Sequence, residues 1–286
     1  MEDIGPVSHR FVSQRLPLHY LDWGNPDAPL LVLQHGGRDH ARNWDWLARA
    51  LRHDWHVICP DLRGHGDSGW SPDGSYSIPF YVADFAQLIH QISDGPVSIV
   101  AHSLGGAIAM RYAGIWPERV KRLAVIEGLG VSVLDNEFAP VAQRWRQWVD
   151  ERRALSSRVP RRYGSLEEAF TRMRAENAHL SIERARHLTI HGTTRNEDGT
   201  YSWKFDNYVR SNLPLGVSQE ELHAIWHNID CPVWLVHGAD SWARHPEEEG
   251  LAAHFKQAKV TSYEKAGHWV HHDRFDSFLT DLKSFL

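Results

Sequence analysis

The chain has 286 residues, 42% of them hydrophobic and 23% charged, with 31 Lys plus Arg against 36 Asp plus Glu and a formal net charge of −5. That near balance argues against nonspecific nucleic-acid binding, which needs a basic excess to neutralise phosphates, and no apolar run approaches the ~20 residues of a membrane helix. The opening Met-Glu-Asp-Ile-Gly-Pro lacks the basic and apolar regions of a secretory signal. Cys59 and Cys231 each precede a proline in or beside an apolar run, and both read as core residues of a cytoplasmic protein without a disulfide.

In chain order, residues 10–13 and 18–23 read as antiparallel starter strands. Residues 30–34, 55–59, 97–101 and 123–126 are apolar runs of strand length, and between them 43–51, 79–92 and 103–113 carry helical apolar spacing. Such alternation predicts an α/β fold, a mostly parallel central sheet of about eight strands with helices on both faces. From residue 131 to 228 strand runs nearly vanish. That stretch is Arg-rich and helical in pattern, with one turn signal, Asn196-Glu-Asp-Gly199, leading into a small hairpin strand at 200–205. Alternation resumes at 232–237, 247–255, 260–264 and 274–286. The expected organisation is an α/β core of residues 1–130 and 229–286, interrupted by a helical cap, 131–228.

Val97-Ser-Ile-Val-Ala101-His-Ser103-Leu-Gly105-Gly106 carries the most chemistry. A buried strand runs straight into a helix with Ser103 at the turn, and the small residues at 101 and 105 give a sharp, strained bend room. The N–H of Leu104 opens the helix and points at whatever binds Ser103. A plain helix cap is the competing reading, since serine is common at that position. Three other segments end strands at the same sheet edge, where α/β sheets place their sites. His35-Gly36-Gly37 offers a free N–H, Pro232-Val-Trp-Leu-Val-His237-Gly238-Ala-Asp240 delivers an acid, and Ala266-Gly267-His268-Trp269 delivers a base. A serine nucleophile needs an adjacent base, and the base needs an orienting acid; the order Ser…Asp…His satisfies both.

These motifs, with Cys59-Pro-Asp-Leu-Arg-Gly-His-Gly-Asp-Ser68, resemble the α/β-hydrolase fold superfamily over nearly the whole chain outside the cap. The resemblance implies Ser103 as nucleophile, His268 as base, and the N–H groups of Leu104 and Gly37 as the oxyanion hole. It departs from the family pattern twice. Ala101 replaces the usual first glycine of the elbow, and Ser241 stands where the acid of the late loop is usually found. Asp240, one residue early, is the first choice of acid. Glu127, ending the strand after the nucleophile helix, is the alternative, as in relatives that carry the acid there.

Gly64-His-Gly66-Asp-Ser-Gly69 matches a dinucleotide fingerprint in form, but Trp70-Ser-Pro72-Asp-Gly74 follows where a helix should open, so it reads as a turn at the site mouth and no cofactor is expected. His187 with His191, His223 with His227, and the pair His271 and His272 lack the convergent ligand spacing of a zinc site, and no metal is expected. Arg38, His102, Trp242 and Trp269 lie near the site loops and are candidate pocket residues. Asp39 and His40, just beyond the oxyanion turn, could tune it or bind a polar group. The 13 Trp divide between plain core and an apolar pocket under the cap.

The expected function is a serine hydrolase acting on a small-to-medium carboxylic ester through an acyl-enzyme. Carbon–carbon bond hydrolases, lactonases and perhydrolases share such a triad, and a non-catalytic ligand receptor on the same scaffold is the reading from another class. Serine rather than aspartate at position 103 argues against dehalogenase or epoxide-hydrolase chemistry.

Overall fold

The apolar runs become the inner strands of one sheet. In the computed structural model, which describes residues 5–129, 139–211 and 213–286, β1 (Val7–Ser13) and β2 (Leu16–Asp22) pair antiparallel. Their two-residue turn, Gln14 and Arg15, has both φ angles positive, the geometry that matches the twist of a tight hairpin. β3 (Leu30–Gln34), α1 (Asp45–Leu51), β4 (His56–Pro60), α2 (Ile78–Ile92), β5 (Val97–His102), α3 (Leu104–Ile115) and β6 (Val120–Ile126) follow. Next come α4 (Val141–Ser156), α5 (Leu166–Glu176), α6 (Ile182–Gly192), a hairpin of β7 (Thr193–Arg195) and β8 (Tyr201–Trp203), and α7 (Gln219–His227). The chain closes with β9 (Val233–Gly238), β10 (Ala258–Tyr263), α8 (Val270–Asp273) and α9 (Phe275–Phe285).

Eight strands lie in the order β1-β2-β4-β3-β5-β6-β9-β10, and β2 alone among them runs against the rest. The sheet is sandwiched as its two-sided apolar strands require. One face packs on α2, α3 and α7, the other on α1, α8 and α9. Trp23, Trp44, Trp226 and Trp234 are fully buried, so these four belong to the core. Among the described residues no helix is long and apolar enough to cross a membrane. Both cysteines are buried and free.

Two details differ from the sequence expectation. Residues 247–255 do not form a full helix; a short 3-10 turn, Leu251–His254, stands there. Pro246 and Gly250, the latter at φ 69°, interrupt the helical path. Within the stretch expected as a cap, α7 packs into the main core through Leu222 and Trp226. It sits so close to α3 that a Cβ on Gly114 would lie 2.2 Å from the Ile225 carbonyl oxygen. The first part of that stretch, 131–138, lies outside the described residues. α4, by contrast, buries none of its residues and is tied down by Arg152, which donates to the Gly74 carbonyl at 2.9 Å.

Candidate active site

β5 is buried along its whole length and enters α3 through Ser103, whose backbone sits at φ 51°, ψ −119°. Non-glycine residues rarely occupy that region, so surrounding contacts must hold it. Ser103 N–H donates to the Ile126 carbonyl at 2.8 Å, and its own carbonyl accepts from Ala107 N–H at 3.1 Å. The Ser103 hydroxyl makes no cap hydrogen bond to the helix, which removes the plain-cap reading. The flanking glycines are needed for close approach. A Cβ on Gly105 would lie 2.4 Å from the His35 carbonyl oxygen and 2.7 Å from that of Gln34. Both are backbone atoms of a buried edge that cannot move aside. Gly105→Ala is therefore expected to lower stability by about 3 kcal/mol, as overpacking against fixed atoms does. A melting temperature within about 2 °C of the parent would contradict this packing.

The turn after β3 lies against the same elbow. A Cβ on Gly36 would meet His102 Nδ1 at 2.9 Å and Ser103 Cβ at 3.1 Å, and one on Gly37 would meet Leu104 Cδ2 at 3.6 Å. Among the described residues, neither Gly37 N–H nor Leu104 N–H donates to any protein acceptor. Two free donors thus stand beside Ser103. Arg38 follows at φ 59°.

His268 reaches the site from the loop after β10. Its Nδ1 lies 3.4 Å from Glu127 Oε2, and the Glu127 side chain is fully buried. Glu127 stands one residue past β6 at φ 56°, with its N–H on the Val236 carbonyl at 3.0 Å. Gly238 N–H donates to Oε1 at 2.5 Å, and the Ser241 hydroxyl donates to Oε2 at 2.6 Å. Gly128 lets this corner approach α3, since a Cβ there would lie 3.0 Å from Gly106 Cα. Asp240, the first choice from sequence, is exposed and forms neither an ion pair nor a hydrogen bond with His268; its N–H donates to the Ala266 carbonyl at 2.9 Å. The structure brings Glu127, one residue past β6, to His268 and leaves Asp240 without a bond to that ring, although Asp240 lines the same cavity.

His102 is buried beside His268, ring centroids 4.7 Å apart, and its Nε2–H donates to the His268 carbonyl at 2.9 Å. Burial, then the neighbouring His268 and His271, push its pKa well below the usual imidazole value, so the ring is neutral and acts as a strut for the His268 backbone. Trp242, 77% exposed, stacks on the outer face of His268 at 4.6 Å. Ser103, His268, Gly37, Leu104, Arg38, His102, Asp240, Trp242 and Trp269 all line one cavity of about 1160 Å³, together with residues from between β6 and β9. No hydrogen bond joins Ser103 Oγ to the His268 ring, although both face that space. Sequence reasoning missed two parts. Ser241, noted only as an empty acid position, is a Glu127 partner; and arginines from the inserted stretch reach the cavity, which no local motif marked.

The family model for the alpha/beta hydrolase fold matches residues 29–275. The chain belongs to this family. An esterase of Mycobacterium tuberculosis is 26% identical over 280 residues, covering 94% of this chain and 86% of the relative. A 3-hydroxybutyrate-oligomer hydrolase of Cupriavidus necator is 30% identical over 237 residues, 78% of this chain and 76% of that one. Among solved structures, a thioesterase domain from the curacin biosynthetic pathway superposes with a TM-score of 0.85 over 98% of this chain and all of its own, at 23% identity, a likeness of fold.

Two of the motifs weighed in the sequence have the following surroundings in this hydrolase-family chain. Gly64 (φ 72°) and Gly66 (φ 53°) form a loop whose Cβ positions are filled by Tyr76 and by the Asp61 carboxylate, and α2 begins only at Ile78. His187 and His191 share a face of α6 and meet buried Asp45. Arg42 already supplies a positive charge there, 2.8 Å from Asp45 Oδ2.

Proposed function

We propose that this chain is a serine hydrolase that cleaves a small-to-medium carboxylic ester through an acyl-enzyme on Ser103. The observation that carries this reading is Ser103 on its strained turn, facing the same cavity as a histidine backed by a buried carboxylate. His268 Nε2 takes the Ser103 proton as Oγ attacks the ester carbonyl, while Glu127 accepts from Nδ1–H and offsets the imidazolium charge. Gly238 and Ser241 hold Glu127 in place by hydrogen bonds to both of its oxygens. The free N–H groups of Gly37 and Leu104 receive the tetrahedral oxyanion; one such donor is worth a rate factor of ~10²–10³. His268 then protonates the leaving alcohol, and water activated by the same ring releases the acid. The Ser103–His268 hydrogen bond forms on substrate binding, as catalytic bonds often tighten only then. Of the stretch expected as a cap, residues 139–211 serve as a cap over the cavity. The esterase and oligomer-hydrolase names of the relatives support ester cleavage over the other triad chemistries.

The test is a fluorophosphonate probe and a p-nitrophenyl ester. Wild-type protein should show a burst and gain one covalent adduct at Ser103, and Ser103→Ala should lose labelling and at least about 10⁴-fold in kcat. Labelling and turnover that survive the substitution would overturn the assignment.

A further inference from the structure

The hydrolytic steps leave several cations of the cavity unused. Arg38 beside Gly37, Arg158 after α4, and Arg210 after β8 all line the space that holds Ser103. Three other cations of the cavity wall are matched: Lys204 pairs with Asp67 at 2.8 Å, and Arg172 and Arg162 pair with Glu176 and Asp198, while Arg161 lies over the Tyr163 ring at 5.2 Å. Among the described residues, no carboxylate lies within ion-pair distance of Arg38, Arg158 or Arg210. The Arg210 guanidinium lies over the Phe205 ring at 5.8 Å. Asp240, the acid of the loop after β9, also lines the cavity and pairs with none of the three.

The Arg210 guanidinium also feels the other two. Desolvation, and then the like charges of Arg38 and Arg158, lower the Arg210 pKa, with Glu176 partly offsetting them. Like charges that line one cavity with no carboxylate in ion-pair contact gain nothing from that closeness unless an anion joins them. Guanidinium is suited to that task, because its planar fork matches carboxylate and phosphate oxygens in pairs. The arginines come from two parts of the chain, Arg38 from the turn after β3 and Arg158 and Arg210 from the stretch between β6 and β9. An anion seated among them would therefore span the two.

We propose that Arg38, Arg158 and Arg210 form an anion subsite, and that the substrate is an ester bearing an oxyanion group on its acyl or its alcohol part. This rests on the Ser103 reading for the word ester, but the anion preference is a binding property that can be measured without turnover. In a Ser103→Ala background, dissociation constants are read from tryptophan fluorescence, since Trp203, Trp242 and Trp269 line the cavity. The probes are mono-4-nitrophenyl glutarate, charged on the acyl side; 4-(valeryloxy)benzoate, charged on the alcohol side; and neutral 4-nitrophenyl valerate.

At low salt one of the charged probes should bind about ten-fold more tightly than the neutral one, as several solvent-screened attractions would give together. Which probe it is tells which part of the ester meets the arginines. The gap should shrink to about two-fold with Arg158→Gln plus Arg210→Gln, and likewise in about 0.5 M NaCl, where screening is nearly complete over the arginine spacing. Equal binding of charged and neutral probes with all three arginines present would overturn the proposal. So would a preference that persists in the double variant. Selective binding by a protein whose Ser103 form neither labels nor turns over would keep the subsite and remove the hydrolase reading instead.

Discussion

Glu127→Gln should lower kcat on a p-nitrophenyl ester by about 10³–10⁴-fold, while Asp240→Asn stays within about three-fold of the parent. The amide keeps the size of the carboxylate but carries no charge to offset the imidazolium formed as Ser103 is deprotonated. It also has one oxygen for three donors. Gly238 N–H, the Ser241 hydroxyl and His268 Nδ1 all approach Glu127 today. The glutamine NH₂ would have to face one of them, and against Nδ1 it would impose the wrong tautomer on the base. Ser241→Ala, which removes one donor to Glu127, should cost far less, about three- to ten-fold, because the carboxylate and its charge remain. Glu127→Gln combined with Ser241→Asp returns a carboxylate to a position whose hydroxyl now lies 2.6 Å from Oε2, and should recover part of the loss. Far-ultraviolet circular dichroism and a thermal melt separate these effects from misfolding. If Asp240→Asn is the crippled variant and Glu127→Gln is not, the acid assignment fails.

The contrast between the two acids also shows what a sequence can carry. Strand positions were readable because buried parallel strands are short apolar runs, and the elbow was readable because its small residues and following helix are local. The sheet-edge placement of Ser103, His268, Gly37 and Leu104 followed from that same alternation. Choosing between Asp240 and Glu127 required knowing which loop turns back toward the histidine. That depends on a glycine contact between Gly106 and Gly128 and on the left-handed backbone at Glu127, neither of which has a periodic signature. The cavity arginines were invisible for a similar reason. Arg158 and Arg210 sit far apart in an Arg-rich stretch, and only the folded chain puts them in the cavity that Arg38 lines. Residues 247–255 were misread because their spacing is helical while Pro246 and Gly250 deny the backbone a continuous turn.

Stability should fall steeply as pH drops from about 6.5 toward 5, because several of the 20 histidines are buried as neutral rings. His35 is the clearest case. Its Nδ1–H donates to the Gly36 carbonyl at 2.7 Å and its Nε2 accepts from Leu62 N–H at 3.0 Å, so a second proton has nowhere to go without breaking the latter bond. Burial above all pushes His35 down to about 3 and His65 down to about 4. His102, His271 and His272 are pushed well below the usual value, again chiefly by burial, and His40 is lowered the same way. His271 and His272 both donate Nε2–H to Asn43 Oδ1, at 2.8 and 2.6 Å, with ring centroids 4.4 Å apart, so protonating both would set two charges side by side in the core. A group whose folded pKa is depressed binds its proton first in the unfolded chain. These histidines therefore stabilise the fold fully above about 6.5 and lose that contribution as pH falls toward their folded values, about 1.4 kcal/mol per pH unit for each ring. Asp39 acts in the opposite sense. Burial raises it to about 7, so it favours the fold below the ordinary carboxylate range and loses that contribution as pH rises toward 7, which offsets about one histidine. With six rings against one acid, unfolding near pH 5.5 should take up at least about three protons, and the melting temperature should drop by about 10 °C or more between pH 7 and 5. Urea titrations across that range measure the slope directly. A melting temperature unchanged from pH 7 to 5 would mean that the interior solvates or pairs imidazolium after all, and the reading of these histidines as neutral rings, His102 beside His268 included, would fall with it.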